Sequence, residues 1–168
     1  MTWQRAHLQG QGGYTLVELI VTTTIAALVM AALVSVFLTT TRATIDATSR
    51  VEASSQVRNF EIFAYDDFTG SGAGDFNAGC RVSSPCQSLI TLNETHADQN
   101  YTVSYSWDQT NQTLDRSVGG NPPLHAATNV QDFRWYVDTN QSVVLTLKIT
   151  VGTYTESQTF RFYPRRNP

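Results

Sequence analysis

The chain has 168 residues and a formal net charge of −3, so it is long enough for one domain and a short additional segment. It has no overall basic field of the kind that favours nucleic-acid binding. Hydrophobic residues make up an ordinary 41% of the chain, but they are concentrated near the N-terminus.

The first segment, residues 1–13, is interpreted as a processing segment and not as part of the fold. It is polar and glycine-rich, carries Arg5 and His7, and ends in Gly12 and Gly13 immediately before an apolar run. Short N-terminal segments of this kind are removed from many mature chains. We therefore predict a cleaved leader over these residues.

A long helix is predicted directly after the leader. Residues 14–69 contain neither glycine nor proline, although both punctuate the rest of the chain, so one continuous helix of about 50 residues is expected. Residues 19–38 carry no charge, and about 20 such residues suffice to cross the hydrocarbon core of a bilayer. We predict a membrane-spanning half over residues 14–38 and an amphipathic half over residues 39–68.

An ordinary secretory signal peptide is the competing interpretation of the apolar run. Its apolar core would span only about 7 to 15 residues and would precede a cleavage site of small residues. The run in this chain is longer and contains Glu18. These two features favour the membrane helix.

The amphipathic half of the helix predicts a packing partner within the same chain. Apolar residues recur there at helical spacing, whereas Arg50, Glu52, Arg58 and Glu61 lie off that stripe. The stripe consists of Ala53, Val57, Phe60, Ala64 and Phe68. We expect this face to be buried against the C-terminal part of the chain.

The connection after the helix, residues 70–85, is rich in glycine, serine, asparagine and aspartate, which is typical of irregular structure. It contains Cys80, and Cys86 follows directly after it. In an exported segment, two closely spaced cysteines favour a disulfide that closes a small loop. Free thiols and a metal site stay open as alternatives, although the nearest further ligand is His96.

The remaining chain predicts antiparallel strands, because apolar and polar residues alternate along it. The predicted strands cover residues 101–107, 113–118, 130–137, 142–151 and 155–163. Short polar connections between them are typical of hairpins. The predicted fold class is therefore α+β, with a long N-terminal helix packed on a twisted antiparallel β-sheet and a β-rich head over residues 69–168. Side chains expected in the core include Trp107, Leu114, Phe133 and Trp135.

The junction between leader and helix carries a family resemblance. It reads Gly12-Gly13-Tyr14-Thr15-Leu16-Val17-Glu18-Leu19-Ile20, which resembles the prepilin cleavage and methylation motif of type IV pilins and pseudopilins. The resemblance implies cleavage after Gly13 and N-methylation of Tyr14 by a prepilin peptidase. It also implies a single-pass protein of the bacterial inner membrane with an extracytoplasmic head. Such a protein assembles with other pilins or pseudopilins on an inner-membrane platform.

Glu18 is an ionisable residue one turn into an apolar helix. A carboxylate near the bilayer centre costs roughly 2.5 to 3.5 kcal/mol on insertion scales, and such residues usually mark function or pairing. The resemblance implies that Glu18 neutralises the N-terminal amine of a neighbouring subunit in a fibre. The alternative is a carboxylate that the helix N-terminus favours and nearby lipid headgroups keep hydrated.

The C-terminal part has a narrower resemblance. Residues 105–116 and 130–136, followed by the alternating strand from Val143, look like the heads of W-type minor pilins and J-type minor pseudopilins. Many major pilins have a proline near the middle of the membrane helix, whereas the region around Ser35 has none. These features favour a minor subunit that initiates or caps a fibre serving a type IV pilus, type II secretion or DNA uptake.

The residue patterns do not predict catalysis, a cofactor or a metal centre. The chain lacks a nucleophile elbow, a zinc-protease motif and a phosphate-binding loop. Asp66, Asp67 and Asp75 lack the spacing of a calcium loop, and acids at a helix end are more often surface residues. We therefore expect a non-enzymatic protein.

The C-terminal segment is a candidate for nucleic-acid contact. Arg161, Arg165 and Arg166 lie among aromatic residues, a mixture that suits single-stranded nucleic acid, although arginines more often protect a sheet edge. One rival function is therefore a pilus-tip module that contacts DNA or a surface. The other is a signal-anchored extracytoplasmic protein unrelated to fibres.

Overall fold

The computed structural model describes residues 13–71, 79–87, 89–96 and 99–164. Residues 1–12 of the predicted leader lie outside this part of the chain. The described residues form one helix and seven strands, in the order α1 (Leu16–Gly70), β1 (Ile90–His96), β2 (Gln99–Asp108), β3 (Thr113–Val118), β4 (Leu124–Ala127), β5 (Val130–Val137), β6 (Val143–Val151) and β7 (Tyr154–Phe162). The predicted α+β class is confirmed.

Helix α1 is continuous, as the absence of glycine and proline predicts, and it ends at Gly70. Glycine is a common terminator because it adopts the backbone conformations that end a helix at little cost. The chain divides into two compact units between Thr44 and Ile45. Each unit is therefore described separately.

The first unit contains the apolar half of α1. All of its described side chains, residues 13–44, are exposed. The helix includes an 18-residue window of mean hydropathy 2.4, none of it buried within the chain. By length and composition this helix is able to cross a membrane.

The second unit packs the other half of α1 against two antiparallel sheets. One sheet has the strand order β1-β2-β3-β4, and the other has the order β5-β6-β7. The prediction of a single sheet was wrong. The predicted strand list also lacked β1 and β4, because β1 contains asparagine and glutamate and β4 is only four residues long.

The predicted stripe on α1 is confirmed as the buried face of this unit. Phe60 makes an edge-on ring contact with Tyr105 at 5.8 Å, and Phe68 stacks on Phe162 at 4.8 Å. Both phenylalanines are fully buried, and burying each side chain stabilises the folded state by about 1.5–3 kcal/mol. The buried stripe residues are Ala53, Val57, Phe60, Ala64 and Phe68.

The predicted core side chains are largely confirmed. Leu114, Phe133 and Trp135 are fully buried. Trp107 is instead half-buried and packs against the core. Its indole nitrogen donates a hydrogen bond to the carbonyl oxygen of Val130 at 3.3 Å.

The turn between β6 and β7 approaches the helix closely. Gly152 has a φ of +57°, and a Cβ placed on it would lie 3.0 Å from the hydroxyl oxygen of Ser49. Glycine therefore meets both the conformational and the steric demands of this turn.

Candidate functional site

The predicted cleavage site lies in exposed backbone before the helix begins. Residues 13–15 have no regular secondary structure, and helix α1 starts at Leu16. A Cβ placed on Gly13 would meet no atom within 4 Å, and Tyr14 is 79% exposed. Gly13 and Tyr14 are therefore exposed and precede the helix, and cleavage between them stays a prediction.

Thr15 caps the helix directly after this bond. Its hydroxyl oxygen accepts a hydrogen bond from the Glu18 backbone N–H at 3.3 Å, and its carbonyl oxygen accepts one from the Leu19 N–H at 3.1 Å. A threonine followed three residues later by glutamate is the sequence pattern of a capping box. The cap was not predicted, although this pattern is visible in the sequence.

The side chain of Glu18 is exposed in the first turn of α1. The partial positive charge at a helix N-terminus favours a carboxylate at this position. Within the described parts of the chain, no basic side chain forms an ion pair with Glu18. The pairing of its carboxylate with the amine of a neighbouring subunit stays a prediction.

Three consecutive threonines follow Glu18 in the apolar half of the helix. Their hydroxyls donate to carbonyl oxygens four residues earlier: Thr22 to Glu18 at 2.8 Å, Thr23 to Leu19 at 2.9 Å and Thr24 to Ile20 at 2.7 Å. Such bonds satisfy the hydroxyls where no water is available. The threonines therefore do not interrupt α1, although β-branching lowers their helix propensity.

The second unit contains a buried polar cluster that the sequence patterns did not predict. The Asp67 carboxylate accepts two hydrogen bonds from the Arg116 guanidinium, both at 2.6 Å, and a third from the Tyr105 hydroxyl. Asp67 is only 3% exposed, so the interpretation of Asp66 and Asp67 as surface acids was wrong for Asp67. Asp66 is exposed.

The cluster changes the pKa values of Tyr105 and Arg116. Burial, followed by the charge of Asp67, raises the pKa of the Tyr105 hydroxyl well above its usual range. The hydrogen bond to Asp67 raises the pKa of the Arg116 guanidinium. The Asp67 carboxylate therefore has two partners, an arginine and a neutral tyrosine.

Asp75 lies outside the described residues. Within the described residues, no group of three or more acids, histidines or cysteines could hold a metal ion.

Cys80 and Cys86 form a disulfide with a Cα–Cα distance of 5.3 Å. The loop that they close pairs with β5: Cys86 and Trp135 exchange two backbone hydrogen bonds of 2.9 Å, and the Val137 N–H donates to the Cys80 carbonyl oxygen at 2.9 Å. The loop thus occupies the edge of β5 that β6 leaves open. A covered edge is protected from pairing with other strands.

Arg161 is engaged within its own chain. Its guanidinium donates to the Asp138 carboxylate at 2.7 Å and to the Ser142 hydroxyl at 3.2 Å. The bond to Asp138 raises the pKa of Arg161, and the bond to Arg161 lowers the pKa of Asp138. Arg165 and Arg166, predicted with it as nucleic-acid contacts, lie outside the described residues.

The junction is also the region in which the chain is similar to known proteins. The family model described as the prokaryotic N-terminal methylation motif matches residues 8–34, which include Gly13, Tyr14 and Glu18. No curated protein and no solved structure matches the chain. The matched segment begins in the predicted leader and extends into the apolar half of α1.

Proposed function

We propose that this chain, which matches a type IV pilin-like protein in its methylation motif, its long N-terminal helix and its antiparallel sheets, is a minor pilin or minor pseudopilin. In this role it is a non-enzymatic subunit that initiates or caps a pilus-like fibre. The motif implies processing by a prepilin peptidase and assembly with other pilins.

The observation that carries this proposal is the arrangement at the processing junction. The bond after Gly13 lies in exposed backbone and precedes a capped helix. Glu18 is the fifth residue after this bond. Cleavage creates a positive amine at Tyr14, and methylation on nitrogen leaves it basic. An opposite charge within an apolar environment interacts strongly, because few water molecules screen it.

The proposed mechanism has three steps. The apolar half of α1 anchors the subunit in the inner membrane before assembly. The Glu18 carboxylate then pairs with the amine of a neighbouring subunit on the assembly platform, which selects a fixed position for the new helix. Lateral packing of the apolar helix surfaces finally replaces lipid contacts as the subunit enters the fibre.

Two features support a minor rather than a major subunit. Helix α1 is continuous through the region around Ser35, where many major pilins carry a proline. The hairpin of β2 and β3 and the meander of β5, β6 and β7 occupy the segments that resemble W-type and J-type heads. The disulfide between Cys80 and Cys86 supports an oxidising, extracytoplasmic location for these strands.

The experiment that tests this role is a count of subunits in sheared fibres. Cells lacking the chain and cells complemented with it are compared for fibre number, and the chain is quantified against the major subunit by mass spectrometry. The proposal predicts a severe loss of fibres without the chain and only a few copies per fibre with it. Abundance equal to the major subunit, or an unchanged fibre number, contradicts it.

A further inference from the structure

The loop closed by the disulfide presents a cation and an apolar side chain at its tip, residues 81–84. Arg81 and Ser84 exchange two backbone hydrogen bonds, of 3.2 and 2.9 Å, so Val82 and Ser83 form a tight turn between them. Arg81 is exposed, and Val82 is 57% exposed. The disulfide and the backbone bonds to β5 hold this turn in place. Because side chains on a rigid backbone lose less entropy on binding, the loop tip is preorganised for a contact.

The folded chain does not use the charge of Arg81. In the part of the chain that the structure describes, Arg81 takes part in no ion pair. Two other exposed cations are less available to a partner: the Arg50 guanidinium lies 5.3 Å from the ring centre of Tyr154, and Lys148 lies in the central strand β6. The loop tip therefore offers an unpaired cation next to an exposed apolar side chain.

An open cavity of about 490 Å³ on the outer face of α1 has the complementary composition. Its described lining residues are Arg58, Glu61, Ile62, Tyr65 and Asp66. Ile62 is 66% exposed and Tyr65 is 61% exposed, so the apolar part of the lining is open to a partner. Two of the three charged lining residues are acidic.

The charges of this cavity are unevenly distributed along the helix. Arg58 precedes Asp66 by eight residues, or about 12 Å along the axis. Asp66 lies about one turn before the end of α1 at Gly70, where the partial negative charge of a helix C-terminus adds to its own. A cation is therefore favoured at the Asp66 end of the cavity and disfavoured at the Arg58 end.

We propose that the loop tip of one copy of this chain docks in the cavity of a second copy, with Arg81 at Asp66 and Val82 on Ile62. Consecutive Cα atoms of the loop lie about 3.8 Å apart, so these two side chains reach positions that are one helical turn, about 5.4 Å, apart. The contact joins two different surfaces, a loop and a helix, and can therefore repeat from copy to copy. The inference rests on the proposed function, because the copies meet while they initiate a fibre.

Photocrosslinking in cells tests this contact directly and adds no cysteine to the disulfide loop. One full-length copy carries Tyr65→p-benzoylphenylalanine, a second copy has a different tag, and the crosslinked peptides are identified by mass spectrometry. We expect crosslinks to residues 81–84 of the second copy, at least fivefold above those from the same photoreactive residue at Glu52, which is exposed on another side of α1. Crosslinks to α1 of the second copy, crosslinks to a different subunit in its place, or no crosslink at all overturn the proposal.

Charge reversal across the two copies tests the assigned pair. Asp66→Arg in the photoreactive copy, or Arg81→Glu in the second copy, should lower the yield of the loop crosslink roughly fivefold, the effect of an exposed pair made repulsive. The two changes together restore opposite charges and should recover the yield. Arg58→Gln in the photoreactive copy and Lys148→Glu in the second copy are matched controls that should not lower it. A yield that ignores the charge at Arg81, or one that falls equally with Lys148→Glu, contradicts the proposal.

The same samples separate this inference from the function on which it rests. The N-terminus of each copy is measured by mass spectrometry alongside the crosslinks. Mature chains that start at Tyr14 and give no loop crosslink overturn the docking proposal and leave the function intact. Chains that keep their leader in cells with an active prepilin peptidase overturn the function itself, whether or not the loop crosslink forms.

Discussion

Arg116 and Asp67 form a bidentate ion pair that connects the end of α1 to β3. Its two hydrogen bonds both measure 2.6 Å, and the Tyr105 hydroxyl supplies a third to the same carboxylate. The Arg116 guanidinium also lies 5.5 Å from the ring centre of Phe63. This cluster fixes the last turns of α1 on the first sheet.

Replacing Arg116 by alanine should lower the free energy of unfolding by about 3 kcal/mol, because it leaves the Asp67 carboxylate buried without its cation. Denaturant unfolding of the detergent-solubilised chain measures the change. Arg134→Ala is the matched control, since that arginine pairs with Asp132 in a largely exposed position and should cost less than about 1 kcal/mol. Equal losses in the two variants contradict the role assigned to the buried pair.

The stability of the second unit should fall in alkali because of Tyr105. The folded state raises the pKa of this hydroxyl above the ordinary value of 10.0 and so holds its proton more tightly than the unfolded chain. This contribution is complete below about pH 10 and is lost as the pH rises above it. Unfolding midpoints measured between about pH 8 and 11 should fall more steeply for the native chain than for Tyr105→Phe. Tyr163→Phe, which changes an exposed tyrosine, should leave the slope unchanged.

Removing the disulfide should expose the edge of β5. The double variant Cys80→Ser with Cys86→Ser loses roughly 2 kcal/mol of stability by the loop-entropy estimate. Because their hydrogen bonds go to the cysteine loop, the amides of Trp135 and Val137 should exchange with solvent faster by hydrogen–deuterium exchange. The amide of Leu147 in the central strand β6 serves as the control. Unchanged exchange at Val137 would show that the loop holds its place without the disulfide.

Two variants of Glu18 distinguish its charge from its place in the helix cap. Glu18→Gln keeps a residue that suits the third position of a capping box but removes the negative charge. We expect it to be absent from sheared fibres to the same degree as Glu18→Ala, because both lack the partner for the Tyr14 amine. Thr15→Ala, which removes the cap at a cost of about 1 kcal/mol, should still enter fibres. Full incorporation of Glu18→Gln would assign Glu18 a local helical role.

Local patterns were sufficient to predict much of the fold. The absence of glycine and proline predicted α1, and helical periodicity predicted its buried stripe from Ala53 to Phe68. Strand β6 alternates from Leu145 onward, so its inner face was visible in the sequence, although Val144 on the other face is buried as well. The division into two sheets was not visible in the sequence, because the chain between β4 and β5 is short and nothing in it marks the change of sheet. Strand β1 contains asparagine and glutamate and gave no strand signal.

The polar contacts were harder to predict because they depend on residues far apart in the chain. Asp67 follows Asp66 at a helix end, and only the fold shows that one is buried against Arg116 while the other is exposed. The engagement of Arg161 by Asp138 likewise depends on the pairing of β6 with β7. The Thr15 cap is different, since its pattern is local and could have been found.

The most direct test of the central claim is the N-terminal mass of the protein from membranes of cells with and without a prepilin peptidase. We predict a mature chain that starts at N-methylated Tyr14 only when the peptidase is present. Without the peptidase the leader through Gly13 should remain attached. A chain that keeps Met1 in the presence of the peptidase, or one cut beyond Leu38, would contradict the assignment to a pilin-like fibre.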